Sequence, residues 1–286
     1  MHSYRHHHHA GNHADVLKHM VWLAVLRHLL RKPGALSVID SHAGAGVYRP
    51  NPEDEAATGI ARLSASHDAP VLVQDYLAAV NGQGKPGATS VYPGSPALTL
   101  QHLRPVDALH LFETHPSDGS ALQRWAAAQA GPCTPRVHRS NGFASARSLW
   151  PARGRRAVAL VDPSYEVKTD YAEAAQWLDD TLQRQATAVA VVWIPLVARA
   201  EAHRLPRQLQ AMAKRAHRPW LQALLQVKGS DARVPGGGLA GSWVWVLNPP
   251  YGLAAQLRQA LPPLMQTLAQ DQHARWDVST DSPQTG

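Results

Sequence analysis

Short apolar runs that end in a polar or acidic residue, set apart by stretches of helical spacing, restrict the fold of this chain more than any other feature. Residues 36–39 run into Asp40, 108–112 into Glu113, 136–138 towards Asn141 and 157–161 into Asp162. Runs at 188–194 and 242–247 and a weaker one at 221–227 follow, and helical stretches at 14–30, 120–130, 171–184 and 198–216 precede or separate them. This alternation predicts a doubly wound α/β sheet with its ligands at the carboxyl ends of parallel strands. A chain of 286 residues, 44% of them hydrophobic, suffices for one such domain carrying an insertion. The span from Gly46 to Ala108 is far longer than one crossover helix needs and includes the Gly-rich Asn81-Gly82-Gln83-Gly84-Lys85-Pro86-Gly87. A small helical subdomain is therefore expected at about residues 50–100, inserted in a domain spanning 1–270, and the polar residues 271–286 read as a flexible tail.

No apolar run approaches the roughly 18 to 20 residues that span a bilayer, and the first residues lack the apolar centre of a signal peptide. The expectation is a soluble, cytoplasmic protein without a membrane partner, and nothing demands more than a monomer. One cysteine, Cys133, excludes an intramolecular disulfide and agrees with a reducing compartment. The formal charge of +7, with 17 histidines taken as neutral, suits a phosphate-rich partner such as nucleic acid. Four consecutive histidines, His6 to His9, sit between Tyr4-Arg5 and Gly11-Asn12-His13, which do not look like a purification tag. Adjacent histidines rarely ligate one ion together and no cysteine cluster accompanies them, so no metal site is expected.

The loop Asp40-Ser41-His42-Ala43-Gly44-Ala45-Gly46 follows the first strand, where glycines let backbone amides approach a ligand. A dinucleotide fingerprint would place a third glycine at Arg49, so a cofactor without a pyrophosphate fits better, and S-adenosylmethionine meets that condition. A turn whose glycines serve only packing is the alternative. Glu113 can accept hydrogen bonds from two ribose hydroxyls, and Asn141 can meet an adenine edge.

Asp162-Pro163-Ser164-Tyr165 ends the fourth strand. An adenine amine is a poor nucleophile because its lone pair is delocalised into the ring. A carboxylate (Asp162) and a backbone carbonyl (Pro163) that accept its hydrogens, with an aromatic platform (Tyr165) under the base, would draw the nitrogen towards attacking geometry. Asn248-Pro249-Pro250-Tyr251 fits the amino-methyltransferase tetrapeptide better letter for letter, but it follows the last candidate strand and reads as a structural turn.

With Tyr4-Arg5-His6, residues 10–19, residues 40–46, Tyr92-Pro93-Gly94-Ser95-Pro96, residues 113–118 and Lys168-Thr169-Asp170-Tyr171 in view, the chain resembles the RlmJ family of 23S ribosomal RNA adenine methyltransferases over nearly its whole length. The resemblance implies a class I methyltransferase fold: a Rossmann-like, mostly parallel seven-stranded sheet with one antiparallel strand. It implies transfer from S-adenosylmethionine to the N6 amine of one adenine in 23S RNA, on RNA that is protein-free or partly assembled. His19, His42, Gly44, Ser95, Glu113, Asn141, Gly142 and Asp162 would line the cofactor site with help from Lys18, and Asp162 would be the catalytic acceptor. Tyr4, Arg5, His6 and Lys168 would meet the RNA.

Two positions depart from the family pattern: Ser164 stands where it has proline and Asn141 where it has aspartate. Serine leaves the tetrapeptide less stiff, and Asn141 keeps one accepting oxygen. Two rivals remain at this stage. One is a DNA adenine methyltransferase, and the other is an RNA-binding protein that keeps the fold without turnover.

Overall fold

The computed structural model describes residues 9–51, 53–63, 69–82, 91–230 and 238–281. Tyr4, Arg5 and His6 lie outside them. In chain order the elements are α1 (His13–Leu30), β1 (Ser37–Asp40), β2 (Val47–Tyr48), α2 (Ile60–Leu63), α3 (Val71–Asn81), β3 (Tyr92–Pro93), α4 (Ser95–Leu100), β4 (Ala108–Phe112), α5 (Pro116–Ala127) and β5 (Arg136–His138). They continue as α6 (Gly142–Ser145), β6 (Ala157–Val161), α7 (Thr169–Arg184), β7 (Val189–Leu196), α8 (Ala200–Arg215), β8 (Trp220–Gln226), β9 (Gly241–Leu247), α9 (Leu253–Leu268) and β10 (Arg275–Thr280).

One eight-stranded sheet carries the order β10-β8-β9-β7-β6-β1-β4-β5. Strands β5, β4, β1, β6 and β7 are mutually parallel, so their carboxyl ends, with the polar residues read from sequence, meet along one edge of the sheet. Each central strand is buried on both faces, which is why it reads as an unbroken apolar run. Apolar clusters fill both faces, one built around α1 and α9 and the other around α7 and α8. The seven strands from β5 to β8 give the class I methyltransferase sheet.

Two features correct the expectation from sequence. The sheet has eight strands, and two of them, β9 and β10, run against the rest. The eighth comes from the supposed tail: Arg275–Thr280 pairs antiparallel with β8. As an edge strand β10 covers one face only, so Val278 alone in it is buried and its polar neighbours disguise it.

Helix α1 owes its start to Asn12, whose side chain accepts from the amides of Ala14 and Asp15. Pro33 and Gly34 follow its end. It is buried nearly all round, and that burial takes in Asp15, Lys18 and His19 along with its apolar residues. Strands β2 and β3 form a separate antiparallel pair, and the segment they bracket includes α2 and α3. Helix α3 packs on α1 and α9.

Candidate active site

At the carboxyl edge of the sheet lies a cavity of about 520 Å³. Lys18, His19, His42, Gly44, Ser95, Glu113, Asn141, Asp162, Pro163 and Tyr165 all line it, although they come from six different segments of the chain. Gly142 does not. It is buried against the β1 loop, where an added Cβ would stand 2.1 Å from the Ser41 carbonyl oxygen. Lys168 lies outside the cavity, exposed and 3.6 Å from Glu201.

At the centre is a buried ion cluster. The Lys18 ammonium sits 2.7 Å from Asp15 Oδ1 and 2.5 Å from Asp162 Oδ2, with its side chain 5% exposed. Burial alone would lower the Lys18 pKa, but the charges and hydrogen bonds of the two carboxylates outweigh it and the pKa ends raised. Lys18 therefore stays a cation, and it orients Asp162. Asp15 is held in turn by the Gly11 amide at 2.9 Å. Sequence spacing carried a signal for this cluster, since Asp15, Lys18 and His19 share one helix face. His19 directs Nδ1 to the Tyr92 hydroxyl at 2.8 Å, and Tyr92 meets Tyr76 at 3.0 Å.

The glycine loop after β1 is built for close approach. Gly44 has φ of 63°, and a Cβ there would meet the Tyr48 hydroxyl at 2.1 Å, so only glycine fits. Its amide donates to Glu113 Oε2 at 2.8 Å, and the His115 amide donates to Oε1 at 2.7 Å. These bonds aim a half-buried carboxylate into the cavity, with its pKa raised by burial. Burial also pulls the His42 imidazole down to about 3, so the ring is neutral beside Phe143. Asn141 is exposed and its side-chain oxygen already caps α6 by accepting from the Ala144 amide at 3.0 Å. Asparagine and aspartate cap about equally well. The oxygen expected to read an adenine edge thus has a structural duty, and the amide nitrogen is the group left for a ligand.

Asp40 is fully enclosed. It accepts from Ser95 Oγ at 2.7 Å, and burial, with Asp162 nearby, pushes its carboxyl up to about 7. A free carboxyl titrates near 4, so Asp40 contributes stability that is fully present below about pH 4 and lost as the pH rises through about 7. The expected result for Asp40→Asn is a smaller fall in unfolding free energy between pH 4.5 and 7.5 than the native chain shows. Urea titrations at the two pH values measure it, and parallel profiles would count against the raised value.

Tyr165 corrects a prediction. It lines the cavity but is only 2% exposed, its ring packs on Tyr171 at 4.4 Å between centroids, and its hydroxyl donates to the Trp193 carbonyl at 2.9 Å. It belongs to the wall and does not offer an open stacking face. The half-buried Trp193, with Lys18 Nζ 5.9 Å from its ring centroid, is the more open aromatic surface here. Neither Trp193 nor Arg199, which also lines the cavity, was marked in the sequence, because nothing local sets them apart.

The competing tetrapeptide is elsewhere. Since β9 runs against β7, its end at Leu247 lies beside Ala190, at the opposite edge of the sheet from the cavity. Asn248, at φ of 50°, donates its side-chain amide to the carbonyls of Ala186 and Ala188 at 3.0 and 2.7 Å, and Tyr251 is 99% exposed. That is a structural turn. Among the described residues no group of three or more metal-binding side chains is placed to hold an ion, and no helix is long and apolar enough to cross a membrane.

Comparison with known proteins agrees with this architecture. The family model described as "Ribosomal RNA large subunit methyltransferase D, RlmJ" matches residues 33–279. The Ribosomal RNA large subunit methyltransferase J of Escherichia coli (strain K12) is 34% identical over 270 residues, covering 91% of each chain. The protein of the same name from Haemophilus influenzae is 33% identical over 289 residues, covering 99% of each. A crystal structure of a Legionella pneumophila protein superposes with a TM-score of 0.85 at 25% identity, over 95% of this chain and 98% of that one. The chain belongs to the RlmJ family of ribosomal RNA large subunit methyltransferases.

Proposed function

We propose that this protein methylates the N6 amine of an adenine in 23S ribosomal RNA, acting on RNA that is protein-free or only partly assembled. The observation that carries the reading is the Lys18–Asp162 pair at the end of β6, which keeps one carboxylate charged and oriented beside the Pro163 carbonyl in a cavity shared with the glycine loop. The relatives' names, which describe ribosomal RNA methylation, support the substrate class.

The residues fit S-adenosylmethionine as the cofactor. Gly44 permits close backbone approach, Glu113 offers a carboxylate to paired hydroxyls, and His19, His42, Ser95 and Asn141 complete the wall, with Gly142 bringing α6 against the loop. When bound, S-adenosylmethionine supplies an electrophilic methyl group. The chain's own part is to prepare the acceptor. Asp162 accepts one hydrogen of the amine and the Pro163 carbonyl the other, which fixes the nitrogen's orientation and draws its lone pair out of the ring. As the nitrogen gains its methyl group it must lose a proton, and Asp162 stands to take it. Lys18 keeps Asp162 ionised until then. Tyr165 supports the turn from behind, while Lys168 at the rim and Tyr4, Arg5 and His6 at the amino terminus would meet the RNA.

The test is transfer of label from S-adenosylmethionine to protein-free 23S RNA, to assembled large subunits and to adenine-containing DNA. The expected outcome is N6-methyladenosine in the free RNA, with much less label in the other two. Equal labelling of DNA would move the substrate class to nucleic acid in general.

A further inference from the structure

The turn that carries the proposed catalytic groups is held in an unfavourable shape. Tyr165 has φ of 53°, in the left-handed region that a bulky residue rarely adopts. Such a conformation is unfavourable for a bulky side chain and persists only where its surroundings fix it. Ser164, immediately before it, contributes little stiffness; among the described residues its hydroxyl makes one long contact, accepting from the Glu166 amide at 3.5 Å. Asp162 is anchored by Lys18, and the Tyr165 ring is anchored by Tyr171 and the Trp193 carbonyl. The backbone between these anchors is where the turn could relax, and there Arg199 reaches across. From the loop between β7 and α8 its guanidinium Nη1 donates to the carbonyl of Tyr165 at 3.0 Å and to that of Glu166 at 3.3 Å. A half-buried cation donating to two successive carbonyls ties the loop after β6 to the loop after β7 with charge-assisted bonds.

We propose that Arg199 is a positioning residue for methyl transfer, holding the 163–166 backbone so that the Pro163 carbonyl and Asp162 face the amine together. This rests on the function proposed above. The guanidinium acts through the turn and supplies the rigidity that Ser164 lacks. If so, stiffening the turn by other means should make Arg199 dispensable. Proline at 164 would do that, since no hydrogen bond from the Ser164 amide is present among the described residues and the ring narrows the backbone's freedom.

The experiment compares native protein, Arg199→Met, Ser164→Pro and the double variant, by steady-state transfer to 23S RNA and by hydrogen exchange at the amides of residues 165–167, which all four proteins carry. For Arg199→Met, kcat should fall roughly tenfold to a hundredfold, as small misplacements of reacting groups do. KM for RNA and for the methyl donor should stay within about twofold. Exchange in the turn should quicken, and the double variant should recover most of both losses. A raised KM for RNA with unchanged kcat would overturn the proposal and make Arg199 a contact for the RNA backbone. A fall in kcat that Ser164→Pro does not relieve would also overturn it. If the native protein transfers no methyl group, the proposed function fails by that result alone, and the clamp is then judged on exchange: unchanged protection in Arg199→Met refutes it.

Discussion

Asp162→Ala should bring methyl transfer down by roughly a hundredfold to ten-thousandfold, the range that loss of a positioned general base produces. Two roles vanish together, the acceptor that orients the amine and the group that receives its proton. Asp162→Asn separates them, because the amide oxygen can still accept a hydrogen bond while the side chain can no longer act as base. It should retain more substrate affinity than the alanine variant and little more turnover. Asn248→Ala provides the contrast. It loses two hydrogen bonds at the far edge of the sheet, so its stability should drop by about 1 to 3 kcal/mol while kcat per folded molecule stays native. If activity followed Asn248 and ignored Asp162, the acceptor site would have been assigned to the wrong end of the sheet.

The largest effect on stability is expected from Lys18→Met. Methionine fits the apolar surroundings of α1 well, but it strips a buried cation from two carboxylates, Asp15 and Asp162, whose side chains are 1% and 15% exposed. Removing one partner from a buried ion cluster typically costs about 3 to 5 kcal/mol because the remaining charge is left unmatched. For a chain of this size that lowers the thermal midpoint by about 10 °C. The sign with pH follows directly. Without Lys18 the two carboxylates resist ionisation in the folded state, so the deficit should grow as the pH rises and shrink in acid. Adding Asp15→Asn to Lys18→Met should restore part of the midpoint, since the amide oxygen can still accept from Gly11. A midpoint for Lys18→Met equal to that of the native protein would show that water or a proton already neutralises the cluster.

How far the sequence reveals this molecule depends on whether a signal is local. Strands β1, β4 and β6 were legible because each is an apolar run buried on both faces and stopped by an acidic residue, Asp40, Glu113 or Asp162. The loop at Gly44 was legible for a similar reason, since a left-handed residue in contact with Tyr48 leaves glycine as the one choice. Strand β10 was not, because an edge strand needs only Val278 inside and otherwise looks like tail. Arg199 escaped notice because its partners, the carbonyls of Tyr165 and Glu166, lie more than thirty residues back along the chain, and the weight of the local Asp15–Lys18 pair was hidden because Lys18's other partner, Asp162, stands 144 residues beyond it. Tyr165 was legible as a site residue but its orientation was not. A letter pattern does not say which way a ring turns, and the positive φ sends this one into the wall. The two rival tetrapeptides could be separated only by strand direction, which depends on β9 running against β7.

The small β2–β3 pair has a wider consequence. Val47 pairs with Pro93 and the Gly94 amide donates to the Gly46 carbonyl at 3.0 Å, which ties the two ends of the intervening segment together next to the glycine loop and Ser95. That segment is also packed into the domain: Glu55 lines the cavity and accepts from the Asn12 side chain, and Tyr76 of α3 meets Tyr92 in the buried hydrogen-bonded chain that reaches His19. A change at Glu55 or Tyr76 therefore reaches the pocket wall directly, whereas a change at an exposed position such as Val71 does not. The clip and these contacts make the segment a brace for the pocket, so that loosening the β2–β3 pair would be felt at His19 and Ser95 as well as in the segment itself.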